Sequence, residues 1–129
     1  MDPTLGFLGA FFLTLVALGA TVVTGRAGRV RLHLPCVAVS LALLVVTVWF
    51  AGKLGKLYDL ESAGPITPVH LVIAKLAAAS YLLPLVSGVM TLRDRRHKRL
   101  HLVLALIALA LTVSAAVTGT AMVLLAERL

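Results

Sequence analysis

Leu100–Ala126 reads LHLVLALIALALTVSAAVTGTAMVLLA, a run of 27 residues that contains no Asp, Glu, Lys or Arg. A helix needs about 20 apolar residues to cross the hydrocarbon core of a bilayer, so this run is long enough to span a membrane. Three other stretches have the same character, and they cover approximately residues 5–23, 32–52 and 66–92. The sequence therefore predicts an all-α integral membrane protein folded as a four-helix bundle.

The overall composition leads to the same class of protein. Of the 129 residues, 60% are hydrophobic and 13% are charged, whereas soluble domains have about 45–50% apolar and about 25% charged residues. Four spans occupy about two thirds of the chain, which leaves no room for a soluble catalytic domain. The sequence also lacks CxxC, HExxH, P-loop and GxSxG motifs. We expect a single four-helix transmembrane domain over residues 1–129 that is not an enzyme.

The positive charges are concentrated in two of the predicted loops. Three arginines follow the first span, and four arginines and one lysine lie between the third and fourth spans. The positive-inside rule predicts that these loops are cytoplasmic and that both termini are outside. We expect a multi-pass protein of the cell inner (plasma) membrane. Its net charge of +7 then reflects topology, and no nucleic-acid partner is expected.

A short motif occurs twice at equivalent places. Arg31–Leu34 opens the second span with the sequence RLHL, and Arg99–Leu102 opens the fourth span with the same four residues. The repetition is consistent with two parallel helical hairpins that arose by duplication.

Of the three prolines within the predicted spans, two bear on the geometry of the helices. Pro35 is expected in the first turn of the second helix, where a missing N–H is tolerated. Pro84 lies in the middle of the third span, where it cannot donate to the carbonyl of Ser80. The sequence therefore predicts a kink in the third helix.

Polar residues inside the spans are candidate functional residues, because a bilayer makes them costly. His33 and His101 open the second and fourth spans at the same predicted cytoplasmic depth. If these helices are neighbours, the two imidazoles can hold a haem iron or a copper ion. Cys36 lies one turn from His33 on the same helix face and offers a thiolate. The alternative is that each histidine contacts lipid headgroups or caps a loop.

His70 lies at the opposite end of the bundle, about 25 Å from the other two histidines across the bilayer. It belongs to a helical stripe with Tyr81, and the stripe is otherwise made of small residues and a proline at positions 74, 77, 84 and 88. Such a face admits a neighbouring helix or a flat cofactor, although ordinary packing of small residues also explains it. Met122 in the fourth span is a further candidate ligand opposite His70, but methionine is more often a core residue.

Lys75 carries a charge inside the third span, and no acidic residue lies within a span to pair with it. One interpretation is that its stem extends along the helix so that the ammonium group reaches the interface. The other is that it serves an anionic group, such as a haem propionate, or a proton path.

Several of these features occur together in a known family. A histidine opens the second helix after a basic loop, and a Ser-Leu-x-Leu run follows from Ser40 to the aromatic pair at 49–50. Pro84 and Leu85 lie in the middle of the third helix, and the fourth helix ends in Thr118-Gly119. The arrangement resembles the small YozB/CtaM-like polytopic membrane proteins. The resemblance implies a role in the maturation of haem-A terminal oxidases, with the family's histidines at positions 33, 70 and 101.

We therefore expect a protein that handles haem or copper during the biogenesis of a respiratory terminal oxidase. Its expected partners are the lipid bilayer and a larger respiratory membrane complex. One alternative is a haem-b electron carrier that works with quinone, on a weaker likeness to four-helix b-type cytochromes. Another is a non-catalytic accessory subunit without a cofactor. The candidate metal ligands are His33, Cys36, His70 and His101, and the candidate cofactor contacts are Lys75 and Tyr81.

Overall fold

The computed structural model describes all residues from 1 to 129, and nearly the whole chain is helical. Four helices are long and apolar enough to cross a membrane, namely Pro3–Arg26, Val30–Leu57, Ile66–Arg93 and Arg95–Leu125. The predicted all-α class with four membrane-length helices is confirmed. The chain divides into two compact units, Met1–Tyr58 and Asp59–Leu129. The organisation as a single domain stays a prediction.

The first unit is a helical hairpin of α1 (Pro3–Arg26) and α2 (Val30–Leu54). The Asp2 side chain caps α1 by accepting the N–H of Thr4 at 2.9 Å, and Pro3 occupies the first helical position, where no N–H is needed. Gly28 closes the turn between the helices with a φ of +68°, a left-handed conformation that glycine adopts without strain.

The tight turn makes α2 begin two residues earlier than predicted. Its first residue is Val30, because the N–H groups of Leu32 and His33 both donate to the carbonyl of Arg29. Pro35 therefore lies inside the helix, in its second turn, and the prediction of a first-turn position is wrong. A 3-10 turn, Gly55–Leu57, and the two-residue strand β1 (Tyr58–Asp59) follow α2.

Hydroxyl groups line the contact between α1 and α2. The Oγ1 atoms of Thr14 and Thr47 are 2.8 Å apart, and Thr21 Oγ1 lies 2.9 Å from Ser40 Oγ. Three of these four side chains are buried, whereas most large apolar side chains of both helices are exposed. Small polar residues let helices approach closely in a membrane, and the apolar exterior suits lipid tails.

The second unit contains α3 (Ile66–Ser80), α4 (Leu82–Arg93) and α5 (Lys98–Leu125). The helices α3 and α4 together form the third span and meet at Tyr81. Because Pro84 has no N–H for the carbonyl of Ser80, the helix is interrupted there, as predicted. The remaining elements are the 3-10 turns Leu60–Ala63 and Arg95–His97 and the strand β2 (Glu127–Arg128).

In the second unit, α5 packs along both α3 and α4. The residues buried between these helices are small, with exposed fractions of 5% for Ala77, 2% for Ser87 and 2% for Ala108. The predicted stripe of the third span lies on this packed side, since Ala77 is buried and its other members are partly buried. The stripe therefore forms a helix-packing face in this unit.

Candidate functional site

His33 lies in the first turn of α2 and packs across the hairpin on Gly25 of α1. A Cβ atom at Gly25 would be 3.0 Å from His33 Cε1, so glycine provides the space for the ring. The Nδ1 atom lies 3.0 Å from the carbonyl oxygen of Thr21 and 3.4 Å from the hydroxyl of Thr24. Because a carbonyl oxygen only accepts, Nδ1 carries the proton. The lone pair of the neutral ring is then on Nε2.

His101 has an equivalent environment in the second unit. It lies in the first turn of α5, and a Cβ atom at Gly88 of α4 would be 3.2 Å from its Cε1. Its Nδ1 atom is 3.1 Å from Oγ of Ser87, a side chain with an exposed fraction of 2%. The Ser87 hydroxyl and the close contact with Gly88 therefore both hold the ring.

His70, near the start of α3, packs on α5 in the same manner. A Cβ atom at Gly119 would be 2.7 Å from His70 Cε1, and Nδ1 is 3.0 Å from Oγ1 of Thr118. The Thr118 hydroxyl donates to the carbonyl of Ser114 at 2.8 Å, so its oxygen accepts from Nδ1. In this arrangement Nε2 again holds the lone pair.

The three histidines thus share one local arrangement, in which a ring faces a Ser/Thr-Gly dipeptide on a neighbouring helix. The dipeptides are Thr24-Gly25, Ser87-Gly88 and Thr118-Gly119, and they are the only three Ser/Thr-Gly dipeptides in the sequence. The histidines were predicted as candidate residues, but their glycine and hydroxyl partners were not. The sequence contains three such dipeptides and three histidines inside the spans. This equal number is the signal from which the glycine and hydroxyl partners could have been predicted.

The contacts also agree with the predicted repeat of two hairpins. His33 is the fourth residue of α2, and His101 is the fourth residue of α5. Each packs on a glycine late in the preceding helix. The similarity between the two hairpins therefore extends from four residues of sequence to the surroundings of the histidine.

The donor geometry fits metal binding by these histidines. A histidine that binds a metal almost always donates its second ring N–H to a carbonyl, carboxylate or water, which fixes the ring and directs the other nitrogen at the metal. The Thr21 carbonyl has this role towards Nδ1 of His33, and the Thr118 hydroxyl oxygen has it towards Nδ1 of His70. The Ser87 hydroxyl lies within hydrogen-bond distance of Nδ1 of His101 and can take the same role. The fixed rings are therefore suited to bind a haem iron or a copper ion through Nε2.

The structure contains no ready cluster of three or more His, Cys, Asp or Glu side chains for a metal ion. Any metal bound here would take few ligands from the chain, as haem iron does. Cys36 is a free thiol of intermediate exposure, one turn along α2 from His33. The predicted pairing of His33 with His101 joins residues of the two different units, and it stays a prediction.

The two predicted cofactor contacts lie on different faces of the third span. The Tyr81 hydroxyl is on the packed face and donates to Thr112 Oγ1 at 2.7 Å, because the Thr112 hydroxyl itself donates to the carbonyl of Ala108. Lys75 lies on the exposed face of α3. All five acidic residues of the chain lie outside the four membrane-length helices, so Lys75 has no carboxylate partner within a span.

No family model, curated protein or solved structure matches this chain. The resemblance to YozB/CtaM-like proteins therefore stays a prediction based on the motifs quoted above.

Proposed function

We propose that this protein handles haem or copper in the bilayer during the biogenesis of a respiratory terminal oxidase. The observation that supports metal handling is the repeated fixation of a histidine through Nδ1, at His33, His70 and His101. Such fixation orients Nε2 for a metal. The link to an oxidase rests on the family resemblance alone.

The proposal is tested on full-length protein purified in detergent from cells supplied with haem and copper. Absorption spectra of the oxidised and dithionite-reduced protein are recorded, and iron and copper are counted in the same sample. We expect bound haem or copper in the unaltered protein. A colourless preparation without either metal would refute metal handling.

The matched variants separate ligation from packing. Asparagine in place of His33 and His101 retains an N–H donor close to the position of Nδ1 but removes Nε2. We expect the double variant to fold and to lose bound metal. The control is His97→Asn, because His97 lies in the 3-10 turn Arg95–His97 before α5 and is not expected to change metal content. Equal metal content in all three proteins would exclude His33 and His101 as ligands.

One observation favours a second candidate, the accessory subunit without a cofactor. Each histidine ring already packs on a glycine and makes a hydrogen bond within its own unit, so the three rings also serve to join helices. This candidate predicts co-purification with a larger membrane complex that survives the double asparagine substitution. Loss of the complex together with bound metal would instead favour metal handling.

We further propose that the chain lies in the inner (plasma) membrane with its two arginine-rich loops in the cytoplasm. The support is the positive-inside rule. Single cysteines are introduced at Ser62 and at Arg96 in a Cys36→Ala background, and intact cells are treated with an impermeant maleimide. We expect labelling at position 62 and protection at position 96 until the membrane is permeabilised. The reverse pattern would invert the proposed orientation.

A further inference from the structure

We propose that His70 and Met122 form a binding site for monovalent copper, at the end of the second unit where α3 begins and α5 ends. This inference rests on the proposed function, because it selects copper as a metal that the protein handles and gives it a location. The site uses an imidazole from one helix and a thioether from the other.

Met122 faces the packed side of α5. Its exposed fraction is 7%, whereas that of Leu124 is 79% and that of Leu125 is 63%. It follows Gly119 by three residues and Thr118 by four, so the three residues lie on the same face of the helix. This is the face on which the His70 ring packs.

The direction of helical side chains brings the Met122 thioether towards the His70 ring. Long side chains on a helix lean towards its N-terminus and lie over the residues three and four positions earlier. For Met122 these residues are Gly119 and Thr118. His70 contacts both of them, with its Nδ1 at 3.0 Å from Thr118 Oγ1. The imidazole and the thioether therefore cover the same part of α5.

The distances are compatible with one metal ion between the two side chains. Nε2 of His70 is 3.3 Å from the position of a Cβ atom at Gly119, and Cβ atoms three residues apart on a helix are about 5–6 Å apart. Zinc makes bonds of about 2.0 Å to nitrogen and about 2.3 Å to sulfur, and copper bonds of similar length would place the two donor atoms about 4 Å apart. Methionine has enough rotatable bonds to adopt that separation.

The chemistry of the donor pair selects the ion. Thioether sulfur is a soft ligand that favours Cu(I), whereas Mg²⁺, Ca²⁺ and Mn²⁺ favour oxygen. Structural zinc takes four ligands, and the chain contains no group of three or more His, Cys, Asp or Glu side chains that could hold a metal ion. Both donors are neutral, and a low-dielectric environment penalises the charge of a divalent ion more than that of a monovalent one.

The test measures Cu(I) binding to the purified full-length protein in detergent, with ascorbate to keep the copper reduced and bathocuproine disulfonate as the competing chelator. We expect Met122→Leu to weaken Cu(I) binding by at least about tenfold and Met122→Cys to restore it. The control is Met90→Leu, which removes a thioether near the other end of the third span and is expected to leave binding unchanged. X-ray absorption of the copper protein is expected to contain one sulfur neighbour, which Met122→Leu removes.

The outcomes distinguish this site from the wider proposal. Cu(I) binding that is unchanged in Met122→Leu, or a copper spectrum without sulfur, overturns the site. Copper that depends on His33 and His101 but not on His70 also overturns it, while the proposed function stands. Bound haem without Cu(I) binding likewise overturns the copper site and leaves the proposed function standing. Absence of both haem and copper removes the site and the proposed function together.

Discussion

Replacing Gly119 by alanine places a methyl carbon 2.7 Å from Cε1 of His70, whereas ordinary contact begins at 3.4 Å. Because the added methyl group is attached directly to the backbone of α5, the imidazole is the group that must move. Its movement strains the 3.0 Å hydrogen bond between Nδ1 and Thr118. The substitution therefore tests whether the ring is held between the glycine and the hydroxyl.

The expected magnitude follows from two opposing effects. Overpacking of a tight contact costs about 1–3 kcal/mol, and weakening an interhelical hydrogen bond in a membrane protein costs about 0.6 kcal/mol on average. Alanine recovers up to about 1 kcal/mol of helix propensity relative to glycine. We expect Gly119→Ala to lower the free energy of unfolding by about 1–2 kcal/mol.

The matched control is Gly19→Ala, because a Cβ atom at Gly19 of α1 would have no neighbouring atom within 4 Å. This variant should be as stable as the unaltered protein or slightly more stable. Unfolding is followed by far-UV circular dichroism during titration with sodium dodecyl sulfate. Equal midpoints for the two variants would refute the close packing of His70 on Gly119.

Two further predictions concern the helix contacts. Thr14→Val removes the 2.8 Å hydroxyl pair with Thr47. We expect it to lower the free energy of unfolding by about 0.6 kcal/mol, and by at most about 1.7 kcal/mol. The same titration with sodium dodecyl sulfate measures this loss. Thr120→Val is the control, since its hydroxyl is exposed and bonds only within α5, and an equal loss in both variants would contradict the pairing. Pro84→Ala gives the chain an N–H for the third span, and we expect slower amide hydrogen exchange around Tyr81. Exchange there as fast as before would indicate that the proline does not cause the interruption.

The sequence was sufficient to predict the four spans, because long apolar runs have one stable solution in a bilayer. The predicted ends of the spans were less accurate where one tight turn sets the start of a helix. The left-handed Gly28 starts α2 at Val30, two residues before the predicted start. The proline interruption of the third span was predictable because it depends on a local property of one residue.

The surroundings of the candidate residues were harder to predict. That His33, His70 and His101 lie near helix ends follows from the sequence, but the residue that each ring contacts depends on the rotation of the facing helix. The hydroxyl pairs were also missed, since a serine or threonine in a helix usually bonds to its own backbone. Thr14 does both, with its hydroxyl 2.7 Å from the carbonyl of Ala10 and 2.8 Å from Thr47.

The contacts that hold the first hairpin together involve only its own residues, and this has a consequence for biosynthesis. Its hydroxyl pairs, its Gly28 turn and the packing of His33 on Gly25 use only residues before position 59. Chains are made from the N-terminus, and compact units generally fold in that order. We therefore expect the first hairpin to enter the membrane and pair its two helices while the ribosome is still translating the second unit. We expect that a ribosome-bound chain, stalled soon after Tyr58 has left the exit tunnel, already contains the paired helices α1 and α2.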